Sequence, residues 1–287
     1  MLGKSKIEPH ISVRLLHSVE ELTQVQELEG MVWEADHSIP VHQTLTAVKN
    51  GGIVLGAYDE DKLVGFQYSF AGFDGKKAYL CSHTLGIHTD YRKCGIGEML
   101  KRTQREEAIK KGYDLITWTY DLLETVNANL NIKKLGAICS HYIENCYGEM
   151  PDTLNAGIPS DRFLAEWWII SDHVGETLGH NGGIQVTVTD CATVIKVNIN
   201  DQGYPVPVET ITSLPSKEVR LLVPVPAFYQ KIKGHDLSLA LSWRMATRSV
   251  FTHYFQQGWQ VVGFVKNEAA EQEKTSSVHY YVLEKNK

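Results

Sequence analysis

The apolar residues near the start of the chain follow two periods, which separate predicted strands from predicted helices. Apolar and polar residues alternate over residues 11–16, which predicts a strand, whereas apolar residues three or four positions apart predict a helix over Val19–Trp33. Two apolar runs, residues 52–58 and 63–70, are joined by a short polar turn and predict an antiparallel hairpin. A further strand is predicted over residues 78–87.

A glycine-containing loop connects this last strand to a second predicted helix. The helix begins near Ile96, the first of its apolar positions, and ends at Gly112. The elements predicted after it are a strand over residues 115–120, a short helix over 127–135, and strands over 137–142 and 163–170. Together these elements predict a self-sufficient α/β (α+β) domain over residues 1–172.

The second part of the chain is predicted to be an additional C-terminal α/β unit. Residues 175–183 are rich in turn formers and lack a long apolar run, so the boundary is placed there and the second unit spans residues 173–287. Its predicted elements are strands over residues 184–188, 193–197, 219–225, 259–265 and 278–283, and one long helix over 237–257.

Composition and charge exclude several classes of protein. The chain has 287 residues, 43% of them hydrophobic, and a formal net charge of -6. This charge argues against nucleic acid as the main partner, because binding phosphates requires a concentrated basic face. No run approaches the roughly 20 apolar residues that cross a bilayer, and residues 1–6 lead into polar residues rather than into the apolar region of a signal peptide. We therefore expect a cytoplasmic protein without nucleic-acid or membrane partners.

The cysteines and histidines lack the spacing of a disulfide scaffold or a metal site. The five cysteines include no C-x-x-C pair, so reduced thiols are expected. The twelve histidines include no H-E-x-x-H motif and no short cluster with carboxylates. No metal is expected.

The loop before the second helix carries the candidate binding chemistry. Arg92, Gly95 and Gly97 form an R-x-x-G-x-G motif, which alone is weak because two nearby glycines usually mark a tight turn. At a helix start, however, unpaired amides and the helix dipole bind anions, and a pyrophosphate fits there beside Arg92 and Lys93. Three basic residues follow on the helix and either meet a nucleotide's outer phosphate or form a solvated face: Lys101, Arg102 and Arg105.

Two segments resemble a known family. Residues 85–100, a Leu-Gly-Ile strand end followed by Tyr-Arg-Lys-Cys-Gly-Ile-Gly and a leucine, resemble the acetyl-CoA-binding motif of the GNAT N-acetyltransferase superfamily. Residues 128–137, an alanine-led helix ending in leucine, glycine and alanine, are similar to the later GNAT motif. With the order of elements, the resemblance covers roughly residues 11–170. Residues 117–131 look like a bacterial subgroup of predicted acetyltransferases with an extra C-terminal region.

The resemblance implies a GNAT acyl-CoA N-acyltransferase fold with acetyl-CoA as co-substrate. In this fold a mixed, mostly antiparallel sheet is flanked by helices, and the strand before the loop splays from its neighbour and pairs with the pantetheine arm. Asn127 or Asn131 either binds the pantetheine amides or caps its helix. The residues implied in cofactor binding are Leu85, Gly86, Ile87, Arg92, Lys93, Cys94, Gly95, Ile96, Gly97, Glu98, Asn127 and Asn131.

His83 is the first candidate for the base that removes a proton from the acceptor amine. It lies four residues before Ile87 with the same strand parity, and histidine titrates near neutral pH. Its position resembles the catalytic histidine of arylalkylamine-type GNAT enzymes. The alternative is a histidine that only forms hydrogen bonds within the core.

The acid that protonates the leaving thiolate is not assigned by the resemblance. The family's usual acid is a tyrosine at the position where this sequence has Ile132. Tyr142, Tyr120 or a water molecule are the alternatives. Cys81 shares the face of His83, but an acyl-cysteine route is disfavoured because a buried strand cysteine usually only packs.

The function predicted from the sequence is transfer of an acetyl group from acetyl-CoA to an amine of a small-molecule or peptide acceptor. The C-terminal unit is expected to contribute to acceptor recognition. Its Arg244 and Arg248 lie one helical turn apart, a spacing suited to a carboxylate, although structural ion pairs are the favoured explanation. The alternative function is a non-catalytic CoA-binding module with a regulatory or partner-binding C-terminal unit.

Overall fold

The structure, a computed structural model, describes residues 10–33, 38–150, 155–179, 184, 186–213, 218–267 and 277–285. The chain divides into two compact units, residues 1–118 and 119–287. The N-terminal residues 1–6, on which the signal-peptide argument rests, lie outside the described residues, as do residues 180–183 of the predicted linker. None of the helices in the described ranges is long and apolar enough to cross a membrane.

The first unit is a sheet with helices on both faces. Its strands are β1 (Ile11–Leu15), β2 (Ile53–Asp59), β3 (Lys62–Phe73), β4 (Ala78–Ile87) and β5 (Leu115–Tyr120, of which the first four residues belong to this unit), and its helices are α1 (Val19–Trp33), α2 (Val41–Lys49) and α3 (Ile96–Lys110). The strands are ordered β1-β2-β3-β4-β5. All neighbours are antiparallel except β4 and β5, which are parallel.

Two glycines of the sheet show which helix covers each face. A Cβ on Gly65 would come within 3.0 Å of Ile96, the first residue of α3. A Cβ on Gly86 would come within 3.0 Å of Trp33 at the end of α1. Because side chains alternate along a strand, these contacts place α3 on one face of the sheet and α1 on the other.

The α1 face holds an apolar core that the helical spacing predicts. Leu22, Val25 and Leu28 of α1 are buried against Val54 and Phe66 of the sheet. Removing these side chains from water is the main term that stabilises the unit. The predicted helix over Val19–Trp33 and the predicted strand over residues 78–87 are confirmed.

The second unit contains a larger set of strands and one long central helix. Its helices are α4 (Thr125–Ala128, continued by a π-helical turn over Asn129–Lys134), α5 (Asp172–Gly179), α6 (Tyr229–His235) and α7 (Leu237–Gln256), and its strands are β6 (Ile138–Ile143), β7 (Arg162–Trp168), β8 (Ala192–Thr193), β9 (Ile195–Ile199), β10 (Pro205–Thr210), β11 (Arg220–Pro226), β12 (Trp259–Val265) and β13 (Val278–Lys285). The strands are ordered β7-β6-β12-β13-β11-β8, with β9 and β10 as a separate antiparallel pair.

Contacts within the second unit cross the boundary predicted near residue 172. Phe163 of β7 lies edge to face with Phe251 of α7, with ring centroids 4.7 Å apart. The hydroxyl of Tyr281 in β13 donates to the carbonyl of Leu122 at 2.7 Å. Elements on both sides of the predicted boundary, such as β7 and α7, therefore share a core.

The C-terminal elements differ from prediction in several places. Part of the predicted linker is helix α5, and the predicted strand over residues 184–188 is wrong, since Val188 begins a 3-10 turn instead. Helix α6 and strand β10 have no counterpart in the prediction, and neither does α2 of the first unit. The long helix and the strands at Trp259–Val265 and Val278–Lys285 are confirmed.

Candidate active site

The loop between β4 and α3 has an unusual backbone conformation. Lys93 and Gly95 both lie in the left-handed region, with φ of 70° and 79°. The turn before them is anchored by Tyr91, whose hydroxyl donates to Asp59 Oδ2 at 2.8 Å. Glycine adopts a left-handed backbone without strain, so Gly95 allows the chain to turn directly into α3.

The start of α3 presents backbone amides to an anion. The carbonyl of Gly95 accepts hydrogen bonds from the amides of Glu98 at 3.0 Å and Met99 at 3.1 Å. The amides of Ile96 and Gly97 precede these bonds and have no partner inside the helix. Because residues 92–95 are exposed and two of them are cationic, the loop fits a pyrophosphate at the positive end of the helix dipole.

Strand β4 has a neighbour along its whole length on one side and along a short stretch on the other. It pairs with β3 from Ala78 to Ile87. Its pairing with β5, among the described residues, consists of Leu80 with Ile116 and Cys81 with Thr117. The edge of β4 from residue 82 to 87 is therefore open beyond the last pair, as the resemblance implies, and Leu85, Gly86 and Ile87 lie on it.

His83 is an extra residue in β4. Ser82 is opposite Ser69 and Thr84 is opposite the adjacent Tyr68, so His83 has no counterpart in β3 and forms a β-bulge. Its ring centroid lies 6.0 Å from that of Tyr68 and 5.8 Å from that of Phe70. The bulge reverses the alternation, so the parity that the sequence assigns to His83 and Ile87 does not hold.

The surroundings of His83 favour its neutral form. The side chain is exposed, but neighbouring groups partly desolvate it and lower its pKa below the ordinary 6.5. A histidine that is neutral at pH 7 accepts a proton, as a general base requires. Cys81 differs, because burial raises the pKa of its thiol, which disfavours the thiolate of an acyl-cysteine route.

The three basic residues of α3 have different environments, and one contradicts both explanations offered by the sequence. Lys101 is only 3% exposed, so it neither reaches an outer phosphate nor belongs to a solvated face. Arg102 pairs with Glu98 at 3.0 Å, one turn back on the helix. Arg105 is half-buried. The apolar spacing of α3 places Lys101 beside Leu100, but the sequence does not show that its amine turns inward.

Asn127, which directly precedes the second motif, and Asn131 within it lie in the second unit, and neither caps its helix. The N-cap of α4 is Glu124, which precedes Asn127 by three residues. Asn127 is exposed, whereas Asn131 is buried in the π-helical turn. Ile132 is buried beside it, so the position of the family's tyrosine acid holds a packed aliphatic side chain.

The two tyrosines considered as substitutes are engaged elsewhere. Tyr142 donates its hydroxyl proton to Asp161 Oδ2 at 2.6 Å, and burial raises its pKa. Tyr120 is 5% exposed, its hydroxyl lies 3.9 Å from Cys139 Sγ, and burial raises its pKa well above 10. Neither hydroxyl is poised to release a proton to a substrate near neutral pH.

The arginines of α7 form ion pairs inside the second unit. Arg248 binds both carboxylate oxygens of Asp161, at 2.8 and 2.7 Å. Arg244 is 1% exposed and donates to Asp121 Oδ2 at 2.5 Å, while its Nε and Nη1 have no partner among the described residues. Neither aspartate belongs to a candidate site predicted from the sequence, although Asp121 directly follows a predicted strand, a common place for functional carboxylates.

A cavity of about 820 Å³ opens in the second unit beside these ion pairs. Arg248, Asn145 and Glu149 supply its charged and polar lining, and Ile158 and Pro159 supply apolar surface. This mixture is typical of sites for small polar molecules.

No group of three histidine, cysteine, aspartate or glutamate side chains within the described ranges is arranged to hold a metal ion.

Comparison with known proteins finds a family whose model matches part of the chain. The model of the family described as "Acetyltransferase (GNAT) family" matches residues 16–135, which include β4, the loop and α3. A comparison with curated proteins finds no significant match.

Several solved structures resemble part of the chain at low identity. An aminoglycoside acetyltransferase from an uncultured soil metagenomic sample, in complex with sisomicin, is 21% identical, with 43% of this chain and 86% of that one aligned and a TM-score of 0.38. The ribosomal-protein-S18-alanine N-acetyltransferase from Escherichia coli is 14% identical, with 55% and 94% aligned and a TM-score of 0.45. A GNAT family acetyltransferase from Elizabethkingia anophelis with acetyl-CoA bound is 16% identical, with 55% and 97% aligned and a TM-score of 0.43.

Proposed function

We propose that this chain, whose residues 16–135 match the model of the acetyltransferase (GNAT) family, transfers the acetyl group of acetyl-CoA to an amine at the open edge of β4. The observation that carries the proposal is a continuous stretch of structure. It begins at the bulge of His83, follows the open edge and ends at the Gly95-capped start of α3. An elongated thioester with a phosphorylated end matches this arrangement of backbone edge and anion site.

Each part of the stretch would hold one part of acetyl-CoA. The amides of residues 93–98 would bind the pyrophosphate, with Arg92 and Lys93 adding charge. The backbone at Leu85, Gly86 and Ile87 would pair with the pantetheine arm, as a neighbouring strand would. Asn127 and Asn131 are the proposed additional ligands of the pantetheine amides.

The acceptor amine would be activated by His83. In the reaction the amine nitrogen attacks the thioester carbonyl carbon, the C–N bond forms and the C–S bond breaks with its electrons on sulfur. The proton lost by the amine passes to the His83 ring, whose lowered pKa keeps a nitrogen free to accept it. The products are an N-acetyl amine and the thiolate of CoA, which takes up one proton to become the free thiol, while His83 returns its proton to solvent.

The second unit is the proposed source of acceptor specificity. Its cavity of about 820 Å³ is large enough for a small molecule or the end of a peptide, and Glu149 offers a carboxylate to a cationic amine. We expect no partner other than such an amine. The charge and the apolar pattern of the sequence argue against nucleic acid and membranes. A cytoplasmic location stays a prediction.

Release of free thiol from acetyl-CoA tests the proposed function directly. The full-length protein is incubated with acetyl-CoA and a panel of aminoglycosides, polyamines, arylalkylamines and peptide N-termini, and products are identified by mass. Thiol release that depends on an amine, with an acetylated product, supports the transferase. Acetyl-CoA binding without an acetylated product across the panel contradicts it and favours the CoA-binding module.

A further inference from the structure

Strands β4 and β5 are no longer paired after Cys81 and Thr117, which leaves a cleft between them. A buried lysine, Lys101, lies at the inner end of this cleft, next to the last pair. Cys81 and Thr117 form the last pair between β4 and β5, so Ser82 and Trp118 are the next residues on the two strands. The Nζ atom of Lys101 lies 3.1 Å from Ser82 Oγ and 3.5 Å from the centroid of the Trp118 ring. Lys101 therefore reaches from α3 to the point at which the pairing of the two strands ends.

The described contacts of Lys101 suit an ammonium group with three N–H donors. One donor points to Ser82 Oγ, a second to Gln104 Oε1 at 2.8 Å, and the third direction is taken by the face of Trp118. All three of these groups are neutral. Neutral groups of this kind offset only part of the cost of burying a charge, so burial works against the protonated form.

The groups packed around Lys101 give its titration a clear direction. Burial holds the pKa of Lys101 well below its usual 10.5. The titratable group acting on it from β4 is the Cys81 thiol, whose own pKa is raised, whereas Gln67 from β3, Gln104 from α3 and Trp118 from β5 do not titrate. A nearby thiolate would reverse part of this shift, because an anion stabilises the ammonium.

The cluster around Lys101 is not a fully satisfied part of the core. Gln67 Nε2 donates to Ser82 Oγ at 3.2 Å, but Gln67 Oε1 and Gln104 Nε2 are buried and have no partner among the described residues. Buried polar atoms without partners are uncommon in a cluster that serves stability alone. An apolar side chain of the same length would pack there at lower cost.

We propose that Lys101 is the catalytic acid that protonates the thiolate of CoA as it leaves. This inference rests on the proposed function, because the proposed binding mode places the acetyl end of acetyl-CoA at the inner end of the cleft. With the pyrophosphate at residues 93–98 and the arm along Ile87 to Leu85, the thioester continues along β4 toward Ser82. Lys101 would then be the acid that is missing at Ile132, where the family has its tyrosine.

The proton that Lys101 gives to sulfur is matched by the proton that His83 takes from the amine. As the C–S bond breaks, the electron pair stays on sulfur, and sulfur takes a proton from Nζ of Lys101. The proton removed from the acceptor amine passes to His83 and then to solvent, and the neutral Lys101 regains a proton from solvent. The net reaction is acetyl-CoA plus amine to amide plus thiol.

Kinetics of Lys101→Met and Lys101→Arg test the role, with Lys110→Met on the exposed end of the same helix as the control. We expect Lys101→Met to retain acetyl-CoA affinity and to lose roughly a hundredfold or more in kcat. The decline of kcat at high pH, where Lys101 is neutral in the wild type, should disappear in this variant. Lys101→Arg keeps the charge but is too weak an acid to donate, so it should also be slow.

A measurement without cofactor keeps the inference testable if the variants fail to fold. In the ¹⁵N-lysine NMR spectrum of the apoprotein, the Nζ signal of Lys101 should titrate well below 10.5. A Lys101 that titrates at its ordinary value, or a folded Lys101→Met protein with wild-type kcat and pH profile, overturns this inference while wild-type turnover leaves the proposed function intact. A wild-type protein without turnover overturns the proposed function itself.

Discussion

His83 occupies the bulge of β4, and this position exposes its ring at the strand's open end while keeping it against Tyr68 and Phe70. In a regular strand, pairing with the neighbouring strand fixes the direction of each side chain. An extra residue in a bulge is unpaired, so its side chain can turn toward a substrate. The lowered pKa follows from the same surroundings.

Replacement of His83 tests whether it is the base. We expect His83→Ala to lower kcat/KM by roughly a hundredfold, because a positioned base contributes on this scale. In the wild type, kcat/KM should fall as the pH drops through a pKa below 6.5, since the protonated imidazole cannot accept a proton. The pH–rate profile of both proteins checks this.

His17, which is exposed on the first unit, provides the matched control, and His17→Ala should behave as the wild type. A His83→Ala protein that keeps the wild-type acid limb would show that another group, such as a bound water, removes the proton.

Two features of individual site residues could not be predicted from the sequence: the bulge at His83 and the burial of Lys101. The sequence pointed to His83, but its argument from parity assumed an unbroken strand, and a bulge leaves no mark in the pattern of apolar residues. Similarly, Lys101 looks like a surface cation because lysine is almost never fully buried. Only its position between α3 and the sheet, opposite Ser82, shows the inward direction.

Among the elements, those with strong periodicity were predicted closely and those held by tertiary contacts were not. The strand, glycine loop and helix around Gly95 are found as predicted, because alternation, a left-handed glycine and helical spacing all agree. Helix α5 was predicted as part of a linker because it contains glycines. Its Thr177 packs against Gly136, where an added Cβ would come within 2.9 Å, and the sequence does not show this contact.

The loop element carries a prediction about binding. We expect Gly97→Val to weaken acetyl-CoA binding by roughly tenfold or more, because a branched side chain in the first turn of α3 obstructs approach to the amides. Isothermal titration calorimetry measures the change. Gly234→Val, in a helix with open space around the glycine, is the control and should bind as the wild type. A folded Gly97→Val protein with unchanged affinity would contradict the assignment of the loop.

At the scale of the whole molecule, the division of the chain follows buried contacts rather than the composition of its linkers. The sequence predicted that residues up to about 171 are self-sufficient. In the second unit, however, the buried Arg244 binds Asp121, and Val261 of β12 pairs with Cys139 of β6. Such pairs join residues more than a hundred positions apart, so no local pattern predicts them. The assignment of cofactor binding and acceptor recognition to separate parts of the chain remains a proposal.

A crystal structure of the full-length protein grown with acetyl-CoA shows whether the cofactor binds along β4 and at the start of α3, as proposed. We expect the pyrophosphate on the amides of residues 93–98, the pantetheine arm along Leu85 to Ile87, and the thioester sulfur within hydrogen-bonding reach of Lys101 Nζ. A cofactor bound away from the start of α3, or a thioester that approaches neither His83 nor Lys101, would contradict this expectation.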